Sequence, residues 1–281
     1  MCIRDRVERG REHRSPAARL AWFSVGLDSQ VERVGADVVL TMNGAGRTAA
    51  PRVCVVQQAF SISGELRRVK PRGFAAKLAV IRRQTQRAAA SADAVVVQTS
   101  WMASELTRNL GLRGHVLPVG LPRARLEAGS ERSGALVVGP DTPYKRRGLA
   151  VDAINEVRRG RDLELTVVDG AGKSRVATLL EGAALLVAAS EIESFGLPVV
   201  EAFSAGCPVV VADEPWARAV ADNAALFFDA GASSSAAGQI RTLLDEPELA
   251  TDLAERGRER LRTLWGQRPY EGLVDLLEAA A

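Results

Sequence analysis

Residues 188–213 read AASEIESFGLPVVEAFSAGCPVVVAD and carry two carboxylates eight positions apart, Glu193 and Glu201. The apolar run before them predicts a strand, Ala183 to Ala189, that delivers Glu193 into a loop. Pro198 opens a helix, because its missing N–H would be unpaired in the first turn anyway and its φ is already helical. Glu201 falls in the first turns of that helix. Neither Gly196 nor Leu197 offers a side-chain oxygen to the free N–H groups, where Ser, Thr, Asp or Asn would ordinarily cap them. The helix start is therefore open to an anion, which the helix dipole favours by about 0.3–1 kcal/mol at exposed sites and about 2 kcal/mol where partly buried. Two acids at this spacing on a lone surface helix would need no ligand. Here Gly206 ends the helix and a fresh apolar strand, Pro208 to Ala212, follows at once.

At 281 residues, 47% hydrophobic and 25% charged, the chain has room for about two ordinary domains with sizeable cores. No apolar run approaches the roughly 18 residues that cross a bilayer. A soluble, cytoplasmic protein is expected. Three cysteines, Cys2, Cys54 and Cys207, lack metal-ligand spacing, and the histidines are His13 and His115. Neither a disulfide framework nor a metal site is expected, nor any cofactor. Charge is unevenly spread: residues 1–120 hold 19 Lys and Arg against 9 Asp and Glu, and residues 121–281 hold 18 against 25. A basic first half suits a charged acceptor or the inner face of an anionic membrane as well as plain solvation, with Lys77, Arg82, Arg83 and Arg87 on one predicted helix. Nucleic acid is not expected as a partner.

Outward from the acidic stretch, buried strands alternate with helices, the pattern of a parallel α/β sheet. Val38 to Thr41, Val53 to Gln57 and Ala94 to Gln98 are short, β-branched runs that read as strands buried on both faces. Helices are predicted for Ala21 to Val34, Gly73 to Ala90 and Trp101 to Asn109. Ligands of such sheets lie beyond the carboxyl ends of the strands. That directs attention to Asn43, Gly44, Gln57, Gln58 and Thr99, each of which also suits plain turn chemistry. Ala135 to Val138 reaches Gly139, and Lys145, Arg146 and Arg147 precede a helix. Cations are disfavoured at that end of the dipole unless an anion compensates, so a phosphate is expected there. Leu163 to Asp169 leads into Gly170-Ala171-Gly172-Lys173-Ser174, which nearly spells a P-loop. Val167 stands where that motif needs its first glycine, which excludes the usual phosphate wrap. From Ser234 onward the chain reads as helical.

The run E-S-F-G-L-P-V-V-E-A, with its following S-A-G-C-P-V-V-V-A-D, resembles the E-x7-E signature of the retaining glycosyltransferases of family 4. The resemblance covers Gly120 to Ala281 closely and Ala21 to Asn109 more loosely. It implies the GT-B fold, two Rossmann-like doubly wound parallel-sheet domains. It divides the chain into a first, acceptor-side domain over 7–122, incomplete at its start, and a donor-binding domain over 123–281, whose terminal helices pack back across the boundary. Residues 1–6, MCIRDR, are similar to the translated end of a sequencing adaptor and are set aside from fold reasoning. By resemblance the substrate is a nucleotide sugar, linked to UDP or GDP, held without a metal. Lys145 would contact its phosphates, helped by Gly139 and Arg146. Glu193 would meet the sugar near its reacting carbon and Glu201 the ribose hydroxyls. Ser194 lies in the same loop, and Phe195, Gly196 and Leu197 would bring backbone close to the sugar and pyrophosphate. The implied reaction retains anomeric configuration and passes a hexose-type sugar to a bacterial glycan or lipid-linked acceptor.

The chain departs from the family's pattern at several points. Pro140 follows Gly139 where an Arg is common shortly afterwards, so Arg146 or Arg147 must substitute. Only one helix fits between Asp169 and Ala183, where the family has helix, strand and helix. Gln57-Gln58 stands where a His-Asp pair is frequent, and the glycine-rich loop of the first strand is absent. Two alternatives stay open: a fragment that binds a nucleotide sugar without turnover, and a sugar-nucleotide epimerase of the same fold.

Overall fold

The computed structural model describes residues 27–44, 48–64, 72–118 and 132–281, with the side chains of Leu27 and of residues 72–77 left aside. Helix α1 (Leu27–Val34) leads to strand β1 (Val39–Met42), then β2 (Arg52–Val56), a 3₁₀ turn (Ala59–Ser61) and α2 (Arg72–Ala90). Next come β3 (Ala94–Val97), α3 (Ser100–Leu110) and β4 (His115–Val116). These four strands form one parallel sheet in the order β1-β2-β3-β4.

The second sheet is built from β5 (Ser133–Val138), α4 (Arg147–Arg158), β6 (Leu165–Val168), α5 (Lys173–Gly182), β7 (Ala183–Ala188), α6 (Leu197–Ala205), β8 (Val209–Ala212), α7 (Pro215–Ala221) and β9 (Leu226–Phe228). Helices α8 (Ser233–Asp245), α9 (Pro247–Trp265) and α10 (Pro269–Ala280) close the chain. All pairings are parallel and the order is β6-β5-β7-β8-β9. The chain leaves β5 for β6 on one side and returns to β7 on the other. A crevice therefore opens beyond the carboxyl ends of β5 and β7, the place where open α/β sheets hold ligands.

Alternation along the strands explains how both faces of this sheet are covered. Leu136, Leu186, Val209 and Val211 point to one face, where they pack with Leu180 of α5, Val199 and Phe203 of α6 and Trp216 of α7. Their neighbours Ala135, Val137, Leu185, Val187 and Val210 point to the other, against Ile154 of α4 and Ile240 of α8. Successive side chains on a strand face opposite ways, so an uninterrupted apolar run is what a twice-covered strand requires.

The first sheet follows the same rule with one unusual cover. Cys54, Val56 and Val97 pack against Ala88 and Ala89 of α2 and Met102 and Leu106 of α3. Val53, Val55, Val96 and Leu117 are covered instead by Leu273, Leu276 and Leu277 of α10. Helix α10 approaches closely because Gly272 has no side chain: a Cβ there would stand 2.8 Å from Leu117 Cδ2.

One expectation fails at β1. It is an edge strand, Leu40 is 42% and Met42 54% exposed, and only Thr41 is buried, because nothing described packs on its outer side. Helix α7 is an element the sequence reading passed over, although Glu214-Pro215 repeats the proline-opened start of α6. The stretch MCIRDR, the first part of the helix expected from Ala21, and residues 119–131 lie outside the described residues. Among the described residues no helix is long and apolar enough to cross a membrane.

Candidate active site at the ends of β5 and β7

Helix α6 begins as its sequence demands. Gly196 precedes it with φ 66°, no side chain caps the helix, and Gly206 closes it with φ 63°. Among the described residues the N–H groups of Gly196 and Leu197 have no backbone partner. Gly196 is required twice over. Its left-handed backbone disfavours a side chain, and a Cβ would lie 2.4 Å from Trp216 Cζ3. The buried Trp216 ring thus forms a floor under the helix start, and its indole N–H donates to the Ser190 carbonyl at 3.0 Å. Trp216 and Ser190 fix where the acidic loop leaves β7. Sequence reasoning missed both, and the only signal was the proline-opened helix after β8.

The crevice is lined by Gly139 and Pro140 from the end of β5, by Lys145 and Arg147, and by Glu193 and Gly196 from the loop after β7. Lys145 Nζ meets Glu193 Oε1 across it, with side chains only 17% and 16% exposed. Lys145 has three N–H donors, and this pair uses one. Two remain for a phosphate, next to the uncapped start of α6. The Nζ also stands 5.7 Å from the Tyr144 ring centroid.

The other two cations are already engaged. Arg146 pairs with Glu191 and donates to the Ala230 carbonyl, bracing the ends of β5, β7 and β9. It sits in the left-handed region, φ 47°, at the start of α4. Arg147 pairs with Asp141 at 3.3 Å and Asp169 at 3.1 Å. The compensation expected at this helix start is thus supplied by carboxylates of the protein. Arg146 serves as a strut, and Lys145 and Arg147 both line the crevice, Lys145 opposite Glu193.

Glu201 stands apart, on the second turn of α6 and toward Lys173 at the start of α5. Partial burial pushes its carboxyl up from the usual range, and the Lys173 ammonium opposes the shift. Leu197 is 46% exposed at the helix start, whereas the Phe195 side chain is in the core. Ser194 turns away from the crevice: its Oγ donates to the Gln57 carbonyl and accepts from the Ala59 N–H at 3.2 Å.

On the first sheet the candidate residues are held by local chemistry. Asn43, at φ 58°, accepts from the Gln57 N–H at 2.6 Å through Oδ1, while its carbonyl accepts from Thr85 Oγ1 at 2.6 Å. Asn tolerates this left-handed backbone better than most residues. Thr99 is the N-cap of α3 and accepts from the Met102 N–H at 3.2 Å. Gln58 precedes the 3₁₀ turn, where Ser61 Oγ is 3.5 Å from its Oε1. Gly44 follows Asn43 with open space about its Cα. The described thiols are buried: desolvation raises that of Cys54 and pushes that of Cys207 up to about 12, which removes both as nucleophiles.

Residues 164–260 match the family model of glycosyl transferases group 1. The matched residues include Glu193 and Glu201, and the match begins after Lys145. A search of curated proteins found no matching sequence. Among solved structures the chain is similar to S. aureus TarM, with 12% identity and a TM-score of 0.67 over 85% of this chain and 56% of that one. It is similar to sucrose-phosphate synthase from Thermosynechococcus elongatus, with 16% identity and a TM-score of 0.69 over 90% and 76%. A third is alpha,alpha-trehalose-phosphate synthase (UDP-forming) from Burkholderia xenovorans, with 12% identity and a TM-score of 0.65 over 89% and 76%. The chain therefore spans little more than half the length of TarM. At these identities the likeness establishes the fold, GT-B.

Proposed function

We propose that the chain is part of a retaining glycosyltransferase that moves a hexose-type sugar from a nucleotide sugar to a bacterial glycan or lipid-linked acceptor. One observation carries the reading: Lys145 and Glu193 face each other across the β5–β7 crevice, beside the free N–H groups at the start of α6. In such a transfer the bond from the sugar C1 to the diphosphate oxygen breaks, and a bond from C1 to an acceptor oxygen forms on the same face. The acceptor proton passes to the departing phosphate. Negative charge grows on the diphosphate, so Lys145 and the α6 dipole stabilise the transition state more than the ground state. In this reading Glu193, released from Lys145, meets the sugar near C1. Glu201 suits the ribose, because its two oxygens match two neighbouring hydroxyls. UDP is the favoured leaving group over GDP, since TarM was solved with UDP.

The test is transfer from UDP- and GDP-sugars to a panel of glycan and lipid-linked acceptors. Lys145→Ala and Glu193→Ala are each expected to lower turnover by about 10²–10³. Parental turnover in both variants would overturn the assignment, and nucleotide binding without transfer would leave a binding protein. The exposed Arg83 and Arg87 of α2 support a further contact with anionic lipid, checked by sedimentation with phosphatidylglycerol vesicles against neutral ones.

A further inference from the structure

Glu193 belongs to the second sheet's loops, yet both of its neighbours are held by the first sheet's residues. Ile192, 4% exposed, is buried among Cys54, Val56, Ala59, Ile62, Met102 and Leu106. Ser194 closes two hydrogen bonds to backbone in the segment between β2 and the 3₁₀ turn, across 135 and 137 positions of sequence. A serine hydroxyl has one proton to give, and the Gln57 carbonyl receives it. Ile192 and Ser194 thus turn toward the first sheet, while Glu193 between them reaches back to Lys145. On the other flank the Glu191 N–H donates to the Tyr144 carbonyl at 2.8 Å.

We propose that Ser194 is a positioning residue through which the first sheet's half of the chain sets where the Glu193 carboxylate stands. The inference deepens the transferase reading and rests on it for its catalytic meaning. A carboxylate anchored through both neighbours follows any shift of the Gln57–Ala59 segment. Displacement of about 1 Å at a reacting group can cost a hundredfold in rate. The donor-side acid is therefore in register only when the two halves are docked, and a shift of the Gln57–Ala59 segment reaches it through Ser194 as well as through the buried Ile192.

The reciprocal partner can be removed as cleanly as Ser194 itself. The Ala59 N–H makes no bond within its own turn, and Gln58 before it, at φ −119° and ψ 99°, is outside the helical region that a following proline disfavours. Ser194→Ala, Ala59→Pro, their combination and the hydroxyl-retaining Ser194→Thr form a cycle. Amide hydrogen exchange of residues 190–197 and 57–62 is read in each, with β8 as internal reference. Each single variant is expected to speed exchange in both segments by roughly three- to tenfold, the size of one or two hydrogen bonds. The double variant should add little to either, and Ser194→Thr should keep the parental rate. Changes confined to the mutated segment, or strictly additive changes, would overturn the proposal. UDP titration of the same proteins separates it from the parent reading. If UDP binds, Ser194→Ala, which loses both bonds, should weaken it at least as much as Ala59→Pro, which keeps the bond to the Gln57 carbonyl, and a larger loss in Ala59→Pro would count against the anchor. If the parental chain ignores both UDP and GDP, the donor reading fails while the exchange cycle still decides the anchor.

Discussion

At Gly196 two penalties coincide, which makes it the most sensitive position of the site. A side chain there meets both the left-handed backbone, about 1–2 kcal/mol, and the Trp216 ring 2.4 Å away, about 1–3 kcal/mol of overpacking. Gly196→Ala is expected to cost about 2–4 kcal/mol in denaturant unfolding and to shift the start of α6. Glu201 responds to pH in the opposite sense to an ion-paired acid. Its raised pKa means that the protonated form is favoured by folding, so the stability it gives is complete below the ordinary glutamate range and is lost as pH rises through the raised value. Glu201→Gln should therefore melt at a higher temperature than the parent at pH 8, with the difference shrinking toward pH 4. Equal differences at both pH values would show that the carboxylate is not penalised by its surroundings. Glu193 is governed instead by its partner: with both side chains largely buried, loss of Lys145 alone leaves an unpaired acid in the crevice, a costlier state than loss of the pair.

Among the helices, two glycines separate propensity from packing. Gly257 lies inside α9 against the Phe203 ring of α6, where a Cβ would come within 2.6 Å of Phe203 Cδ1. Alanine is the better helix former by about 1 kcal/mol. Crowding of about 1–3 kcal/mol outweighs that, so Gly257→Ala should destabilise. Gly238, inside α8, has nothing within 4 Å of its missing Cβ, and Gly238→Ala should stabilise by about 0.5–1 kcal/mol. Thermal melts of the two variants check both signs. The elements themselves were largely legible in the sequence. Runs such as Val209–Ala212 are buried on both faces and carry an unbroken apolar signal, and Pro198 and Gly206 punctuate α6 at both ends. Edge position was not legible, because an apolar run such as Val39–Met42 reads as a buried strand whichever neighbours it has, and only the sheet order puts it at the edge. At the site, the resemblance singled out Lys145 and Glu193 as separate donor contacts, and the ion pair between them was not foreseen. Nor were the partners of Arg146, Arg147 and Ser194, since each lies at a distant position that no local spacing records.

For the whole molecule, nucleotide binding should register as global stability. A ligand at a hundred times its Kd adds about 2.7 kcal/mol to a two-state chain. UDP is expected to raise the melting temperature of the parent and to do so far less for Lys145→Ala; no shift with either UDP or GDP would remove the donor site. Because the halves touch through Ser194, Ile192 and α10, the unfolding transition is expected to be single by fluorescence and circular dichroism alike. The cover that α10 provides also fixes an order of events during synthesis. Strands β2 and β3 leave the ribosome well before Pro269–Ala280, so the Val53, Val55 and Val96 face is wet until that helix arrives. A nascent chain stalled ahead of α10 would present this face to chaperones and proteases, while the second sheet, covered by its own helices, could already be closed.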